Sequence, residues 1–515
     1  MPTRPEPRLR PIDHVVELSD APDQTGAPAL VLRDRVLDYA TLRHRVAILA
    51  GWLQRECPHP GARIASWASK GELTCILPLA AARAGLVHVP INPLLKRAQV
   101  AHIIGDSGAR MLIGSAPRLA SLEDGDLPPD CRQIADSLAL QHSDEAAVAL
   151  APSEADPGEL AAILYTSGST GQPKGVMLSH ANLWLGAVSV AQYLRLAPDD
   201  VTLAVLPLSF DYGQNQLLST WYACGSVVPL DFLVPRDVVK ACARHGVTTL
   251  AAVPPLWVQL VETGWSDEAL KSLRRLTNSG GALSERLVSD LATTFEDVDL
   301  YPMYGLTEAF RSTYLDPALV EKHPTSMGKV VPFAEILVVG DDGEIARANE
   351  EGELVHCGPL VAQGYWRDPV RTARRFRPAP SQSRYGGTAV WSGDRVRRDE
   401  AGLLHFVGRR DAMIKSAGNR ISPQEVEDAA IASGVVAEAA AIGQPDERLG
   451  QIVHLVVRGD RDEEKERDLV RYLKSELPNF MHPRQITWRS AMPLSANGKI
   501  DRTALERELG ERGAS

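Results

Sequence analysis

The stretch that most constrains this chain lies at residues 160–180. An apolar run at residues 160–164 reads as a buried strand. Thr166, Ser167, Gly168, Ser169, Thr170, Gly171 and Lys174 then fall within nine residues. Four hydroxyls and two glycines in six positions make a poor core and a good polyanion cradle. Glycine lets backbone N–H groups turn toward phosphate oxygens, hydroxyls add donors, and lysine adds charge. The spacing is neither GxxxxGK[ST] nor GxGxxG. A flexible Ser/Gly/Thr linker is the plain alternative. The strand before the loop and the lysine inside it argue against that.

With 515 residues the chain is too long for one compact core, so at least two domains are expected. A formal net charge of -10 disfavours nonspecific binding to nucleic acid. The six cysteines are scattered without a CxxC pair, which reads as a reduced, cytoplasmic setting without structural zinc. The N-terminus lacks the apolar core of a signal peptide, and no apolar stretch is long enough to span a bilayer.

Residues 29–114 alternate short apolar runs with helical patterns, the mark of an α/β fold with a largely parallel sheet. Residues 115–159, rich in Asp, Ser and Pro, read as a surface excursion. Short strands follow at 201–208, 226–231, 248–253, 273–277 and 300–304, with a helix at 180–193 and another at 256–262 after Pro254 and Pro255. Residues 335–340 and 352–355 flank an Asp-Asp-Gly turn and suggest a smaller antiparallel β subdomain.

Thr166 to Gly175 resembles the signature loop of the AMP-forming adenylating enzymes: acyl-CoA synthetases, firefly luciferase and the adenylation domains of nonribosomal peptide synthetases. Further motifs extend the resemblance over most of the chain: Tyr304-Gly305-Leu306-Thr307-Glu308, Trp391-Ser392-Gly393-Asp394, Val407-Gly408-Arg409-Arg410-Asp411, and Asn497-Gly498-Lys499 near the end. It implies a large N-terminal α/β domain at residues 1–409, with parallel sheets and a β subdomain. A small mobile α+β C-terminal domain at 410–515 completes it. ATP and Mg²⁺ are the implied cofactors. Thr166 to Gly171 and Lys174 would meet the phosphates. Gly281 and Ala282 would lie against adenine, with Tyr304 stacked on it. Asp394 and Arg409 would hold the ribose. Thr307 would touch the α-phosphate, Glu308 would hold Mg²⁺, and Lys499 would meet both the substrate carboxylate and the α-phosphate. Asp411 would be the pivot between domains. Gly418 would border the tunnel for a phosphopantetheine thiol, carried by CoA or by a separate acyl or peptidyl carrier protein.

The implied acyl site lies at Phe210, Asp211 and Asn215. Many relatives carry a histidine where Phe210 stands. Phe-Asp instead resembles the members that activate amino acids, where the aspartate meets the substrate ammonium. A carboxylate in an apolar pocket is costly unless a cation meets it. The alternative is that Asp211 caps the following helix, and both readings stay open. Asn215 and Gln216 would line a polar pocket. Arg311 reads as a solvated charge. Asn92-Pro93-Leu94-Leu95-Lys96, Phe210-Asp211-Tyr212-Gly213 and Glu308-Ala309-Phe310-Arg311-Ser312 resemble acyl-CoA ligases associated with exosortase systems. Around Asp211 the chain also resembles stand-alone enzymes that load amino acids onto carrier proteins. The expected activity is formation of an acyl-AMP from a small carboxylic or amino acid, then transfer to the thiol. A simple fatty- or aryl-acid CoA ligase is one alternative. A non-catalytic nucleotide sensor is another, although Lys499, Glu308 and Asp394 are all present. Luciferase-like oxidation of the adenylate is a third.

Overall fold

The computed structural model describes residues 7–18, 25–166, 173–409, 413–416, 419–446 and 449–513. Three sheets organise them. In the largest, Pro28–Val31, Ser226–Pro229, Val201–Ala204, Thr249–Ala252, Arg275–Asn278 and Asp299–Tyr304 run side by side in parallel. These strands are almost entirely buried, as a parallel sheet between helices requires. Beyond Asp299–Tyr304 the same sheet continues antiparallel through Thr313–Tyr314, Ser326–Val330, Leu404–Arg409, Thr388–Arg398, Glu351–Cys357 and Glu335–Val339. The antiparallel β region is thus joined to the parallel sheet strand by strand.

The second sheet carries Arg132–Ala135, Met111–Gly114, Arg63–Trp67, Val87–Pro90 and Leu160–Thr166 in parallel, then Lys174–Ser179 and Gly364–Tyr365 antiparallel. One expectation fails here. Residues 132–146 form a strand on this sheet and a helix, Asp136–Ala146, rather than a surface excursion. The strand is half exposed at the sheet edge, so it lacks the apolar run that would have marked it. Pro254 and Pro255 also differ from expectation. They occupy the first turn of Pro254–Val261, where a missing N–H costs nothing.

The helix His180–Tyr193 is buried along most of its length. Its start is fixed reciprocally: Ser179 Oγ accepts from the Asn182 N–H at 3.1 Å, and Asn182 Oδ1 accepts from the Ser179 N–H at 3.0 Å.

The third sheet, built from Ile414–Ser416, Asn419–Ile421, Ala439–Asp446, Gly450–Arg458 and Gln485–Arg489, has its own apolar core against Pro423–Ala432 and Glu463–Glu476. This is the smaller α+β domain. The crossover from the large sheet to the small one lies between Arg409 and Ile414. Asp411 and Gly418 lie outside the described residues, as do Ser167 to Gly171.

Candidate functional site

Strand ends define the site. In parallel sheets the loops after the carboxyl ends of strands face a common crevice. Leu160–Thr166 and Lys174–Ser179 pair antiparallel with Thr166 opposite Lys174, so the glycine- and hydroxyl-rich segment is delivered at the end of its strand. From Arg275–Asn278 the chain turns through Gly280, Gly281 and Ala282. From Asp299–Tyr304 it enters the short turn Thr307–Ala309.

The small domain reaches into this crevice. Lys499 passes so close to Gly280 that a Cβ there would stand 2.5 Å from Lys499 Cε. Gly280 also has φ +88°, a backbone that favours glycine, and a Cβ there would push the Lys499 side chain aside. Gly281, Ala282, Arg409 and Lys499 border a cavity of about 410 Å³ between the domains. Burial lowers the Lys499 pKa below the ordinary lysine value. Asp211 and Glu308 oppose that shift, whereas Arg311 and Arg409 add to it. Those influences trace the charges that surround the Lys499 ammonium.

Glu308 is buried, and burial alone would raise its pKa. The Lys174 ammonium at 2.9 Å and the Tyr365 hydroxyl at 2.6 Å outweigh burial and hold it down at about 2. Lys174 also donates to the Tyr365 hydroxyl at 2.9 Å. Tyr365 was missed by sequence reasoning. It lies 57 residues from Glu308 on a two-residue strand, where no local pattern distinguishes it from a core aromatic. Among the described residues no cluster of three metal-ligating side chains exists. One ionised carboxylate nevertheless suits Mg²⁺, which commonly binds through one or two carboxylates plus substrate phosphates.

Asp394 and Arg409 are direct partners across antiparallel strands, with Arg409 Nε 3.4 Å from Asp394 Oδ1. The Tyr304 hydroxyl donates to the other oxygen of Asp394.

The acyl-site candidates carry a partner that neither sequence reading named. Phe210 is the residue before the helix Asp211–Tyr222, and Asp211 opens it. The Asp211 carboxylate accepts from Arg311 Nη1 at 2.6 Å and from the Thr307 hydroxyl at 3.2 Å. It is therefore committed to a guanidinium rather than to a cap. The solvated reading of Arg311 is overturned: its side chain is 2% exposed. Phe310, at φ +54°, supplies the reversal before it, a conformation that costs a non-glycine residue energy. Arg311 then lies over the Tyr212 ring, 4.7 Å from its centroid. Beneath the helix, Tyr212, Asn215, Gln216 and Arg311 line a void of only about 20 Å³. The Tyr212 hydroxyl donates to the Thr277 carbonyl at 2.7 Å and closes it. Asn215 Nδ2 and both amide atoms of Gln216 are buried without a hydrogen-bond partner among the described residues.

Comparison with known proteins covers most of the chain. The model of the AMP-binding enzyme family matches residues 19–366, and that of the AMP-binding enzyme C-terminal domain matches residues 425–499. A feruloyl-CoA synthase from Amycolatopsis sp is 31% identical over 92% of this chain and 94% of its own. The L-proline–L-prolyl-carrier protein ligase of Pseudomonas fluorescens is 30% identical over 96% of this chain and 97% of its own. Other curated relatives are far longer, and the chain spans only 6% to 11% of their length. The structure of ATP-bound MatB from Rhodopseudomonas palustris superposes with a TM-score of 0.86 at 25% identity, over 97% of this chain and 99% of that one. Sequence, domain order and fold agree, and the chain belongs to the AMP-binding enzyme family.

Proposed function

We propose that this chain is an AMP-forming acid–thiol ligase working in two half-reactions at the interdomain cavity. A substrate carboxylate oxygen attacks the α-phosphorus of ATP. The bond to the β-phosphate oxygen breaks, and pyrophosphate leaves from an acyl-AMP. A phosphopantetheine thiol then attacks the acyl carbonyl, its proton is lost, and AMP leaves with the C–O electron pair. The mixed anhydride supplies the leaving group, so no covalent acyl-enzyme is needed.

In this reading Lys499 bridges the carboxylate and the α-phosphate, orienting the nucleophile and stabilising developing charge. Thr307 donates to the α-phosphate, its hydroxyl turning from Asp211 to do so. Ser167 to Gly171, with Thr166 and Lys174, cradle the outer phosphates. Tyr304, Gly281 and Ala282 take the adenine, and Asp394 with Arg409 takes the ribose. Glu308 would hold Mg²⁺, whose charge neutralises the phosphate oxygens. Lys174 and Tyr365 keep that carboxylate ionised. Asp411 serves as the pivot and Gly418 borders the thiol's path. CoA and a carrier protein are both candidate acceptors, in keeping with the two curated relatives named above. Cytoplasmic work suits these substrates. Among the described residues no helix is long and apolar enough to cross a membrane.

Phe210, Asp211 and Asn215 border the acyl group. Because Arg311 already neutralises Asp211, an uncharged polar acyl group fits better beside it than one bearing an ammonium. A substrate ammonium would have to share the carboxylate with a buried guanidinium.

The observation that carries the activity is Lys499 of the small domain lying against Gly280 of the large one, among the charges of Asp211, Glu308 and Arg409. The test is acid-dependent exchange between pyrophosphate and ATP without thiol, across short carboxylic, hydroxy, α-amino and β-amino acids. Exchange driven by a subset of small polar acids supports the reading. Nucleotide binding without exchange for any acid would favour a sensor and overturn it.

A further inference from the structure

The loop that presents Lys499 is a closed unit. The Ser495 N–H donates to the Lys499 carbonyl at 2.7 Å, and the Gly498 N–H donates to the Ser495 carbonyl at 2.9 Å. Leu494 bridges Ile500, and the Asp501 N–H donates to the Pro493 carbonyl at 2.8 Å. Whatever holds residues 496 and 497 therefore holds Lys499.

Among the described residues, Asn92 of the large domain hydrogen-bonds both. Asn92 lies just past the carboxyl end of Val87–Pro90 and is 5% exposed. Its Nδ2 donates to the Ala496 carbonyl at 2.8 Å and to Asn497 Oδ1 at 3.2 Å. Its Oδ1 accepts from the Leu94 N–H at 2.9 Å, which fixes the amide so that both donor hydrogens face the loop. Lys499 also lies against Gly280, and Gly498 beside Val253, but these are apolar or close-packing contacts; two polar contacts between the domains lie elsewhere. Arg286 meets the Gly434 carbonyl at 2.7 Å and Arg458 meets Glu262 at 2.6 Å, both at the exposed rim and neither touching the loop. Asn92 and residues 494–498 also wall a second cavity, of about 530 Å³, so withdrawing the loop opens that cavity as it removes Lys499.

We infer that Asn92 is a positioning residue, a latch that holds the lysine-bearing loop in the orientation for adenylation and must release for the second half-reaction. This rests on the two-step reading above. The physical reason is geometric. A mobile domain bearing a catalytic cation needs a contact near the cation, because a rim contact leaves a lever arm over which small rotations become large displacements. An amide suits a latch that must open. It offers two neutral hydrogen bonds, each modest in net worth because water replaces it on release.

The test uses Asn92→Asp in the full chain. The carboxylate keeps the acceptor for Leu94 but sets an oxygen against the Ala496 carbonyl and Asn497 Oδ1. Adenylation kcat, read as pyrophosphate exchange, should fall roughly ten- to hundredfold. KM for ATP should stay within about twofold, and thioester formation from supplied acyl-AMP should be unchanged or faster. In a Lys499→Ala background the further loss from Asn92→Asp should vanish, since there is no ammonium left to position. Asn497→Ala, which removes only the longer contact, should give a smaller loss in the same direction and serves if the first variant misfolds. Equal slowing of both half-reactions, unchanged adenylation, or full additivity with Lys499→Ala would overturn the latch while leaving the ligase reading intact. Absence of exchange in the unaltered protein would instead remove the ligase reading, and the latch with it.

Discussion

Replacing Arg311 by methionine tests the buried pair that the sequence did not announce. Arg311 and Asp211 side chains are 2% and 9% exposed, with Nη1 2.6 Å from Oδ2. Methionine keeps most of the volume and the contact with Tyr212, so the main loss is charge. Among the described residues Asp211 keeps the Thr307 hydroxyl, 3.2 Å away, as its side-chain hydrogen-bond partner, with the Lys499 ammonium farther off. Breaking one side of a buried pair typically costs about 3–5 kcal/mol, because the remaining buried charge loses its paired counter-ion. The expected result is a fall of that size in the large-domain transition during urea unfolding, with an unchanged slope. Adding Asp211→Asn removes the orphaned charge and should restore at least half of the loss. A second consequence concerns specificity. With the guanidinium gone, the carboxylate is available to an ammonium, so exchange driven by amino acids should rise relative to hydroxy acids. If Arg311→Met costs less than about 0.5 kcal/mol and the double variant is no more stable, the pair is not a coupled buried unit and the reasoning fails.

Lys499→Ala should lower acid-dependent pyrophosphate exchange by about 10²–10³ while transfer from supplied acyl-AMP stays within roughly threefold; equal loss of both removes the assigned role. Gly280→Ala places a Cβ 2.5 Å from Lys499 Cε at φ +88°, so exchange should drop about tenfold to hundredfold, with binding of ATP measured separately as the control. His88 and His356 are buried neutral, and burial pushes the pKa of each down to about 3. The unfolded chain therefore takes up those protons first as pH falls below the ordinary value of 6.5. Each should cost about 2 kcal/mol of stability at pH 5 relative to neutral pH, and His88→Gln should flatten the pH dependence of unfolding.

What could be read in the chain, and what could not, follows the range of the interactions. The strand before Thr166 and the helix from His180 are written locally, by an apolar run and by a serine and asparagine three apart. So is the alternation that gives the parallel sheets. The motif residues around Tyr304, Asp394 and Lys499 were legible through the family resemblance, and the fold brings Tyr304 to Asp394 and Lys499 to Gly280. Asp211 was visible as an unusual carboxylate, but its partner stands 100 residues away, and an arginine after Phe310 carries no mark of burial. The Asn92 contact spans 404 residues and depends on how two domains meet. Nothing in an Asn-Pro turn records that. Residues 132–146 were misread because an edge strand with no buried residue resembles a loop in composition.

The most direct test of the central claim follows one oxygen atom. The unaltered protein is given its best acid from the exchange panel, labelled with ¹⁸O in the carboxylate, together with ATP, Mg²⁺ and a phosphopantetheine thiol, and the products are weighed by mass spectrometry. Attack of the carboxylate on the α-phosphorus, followed by thiol attack at the acyl carbon, predicts one labelled oxygen in AMP and none in pyrophosphate. Label in inorganic phosphate with ADP as the co-product, or AMP without label, would contradict it.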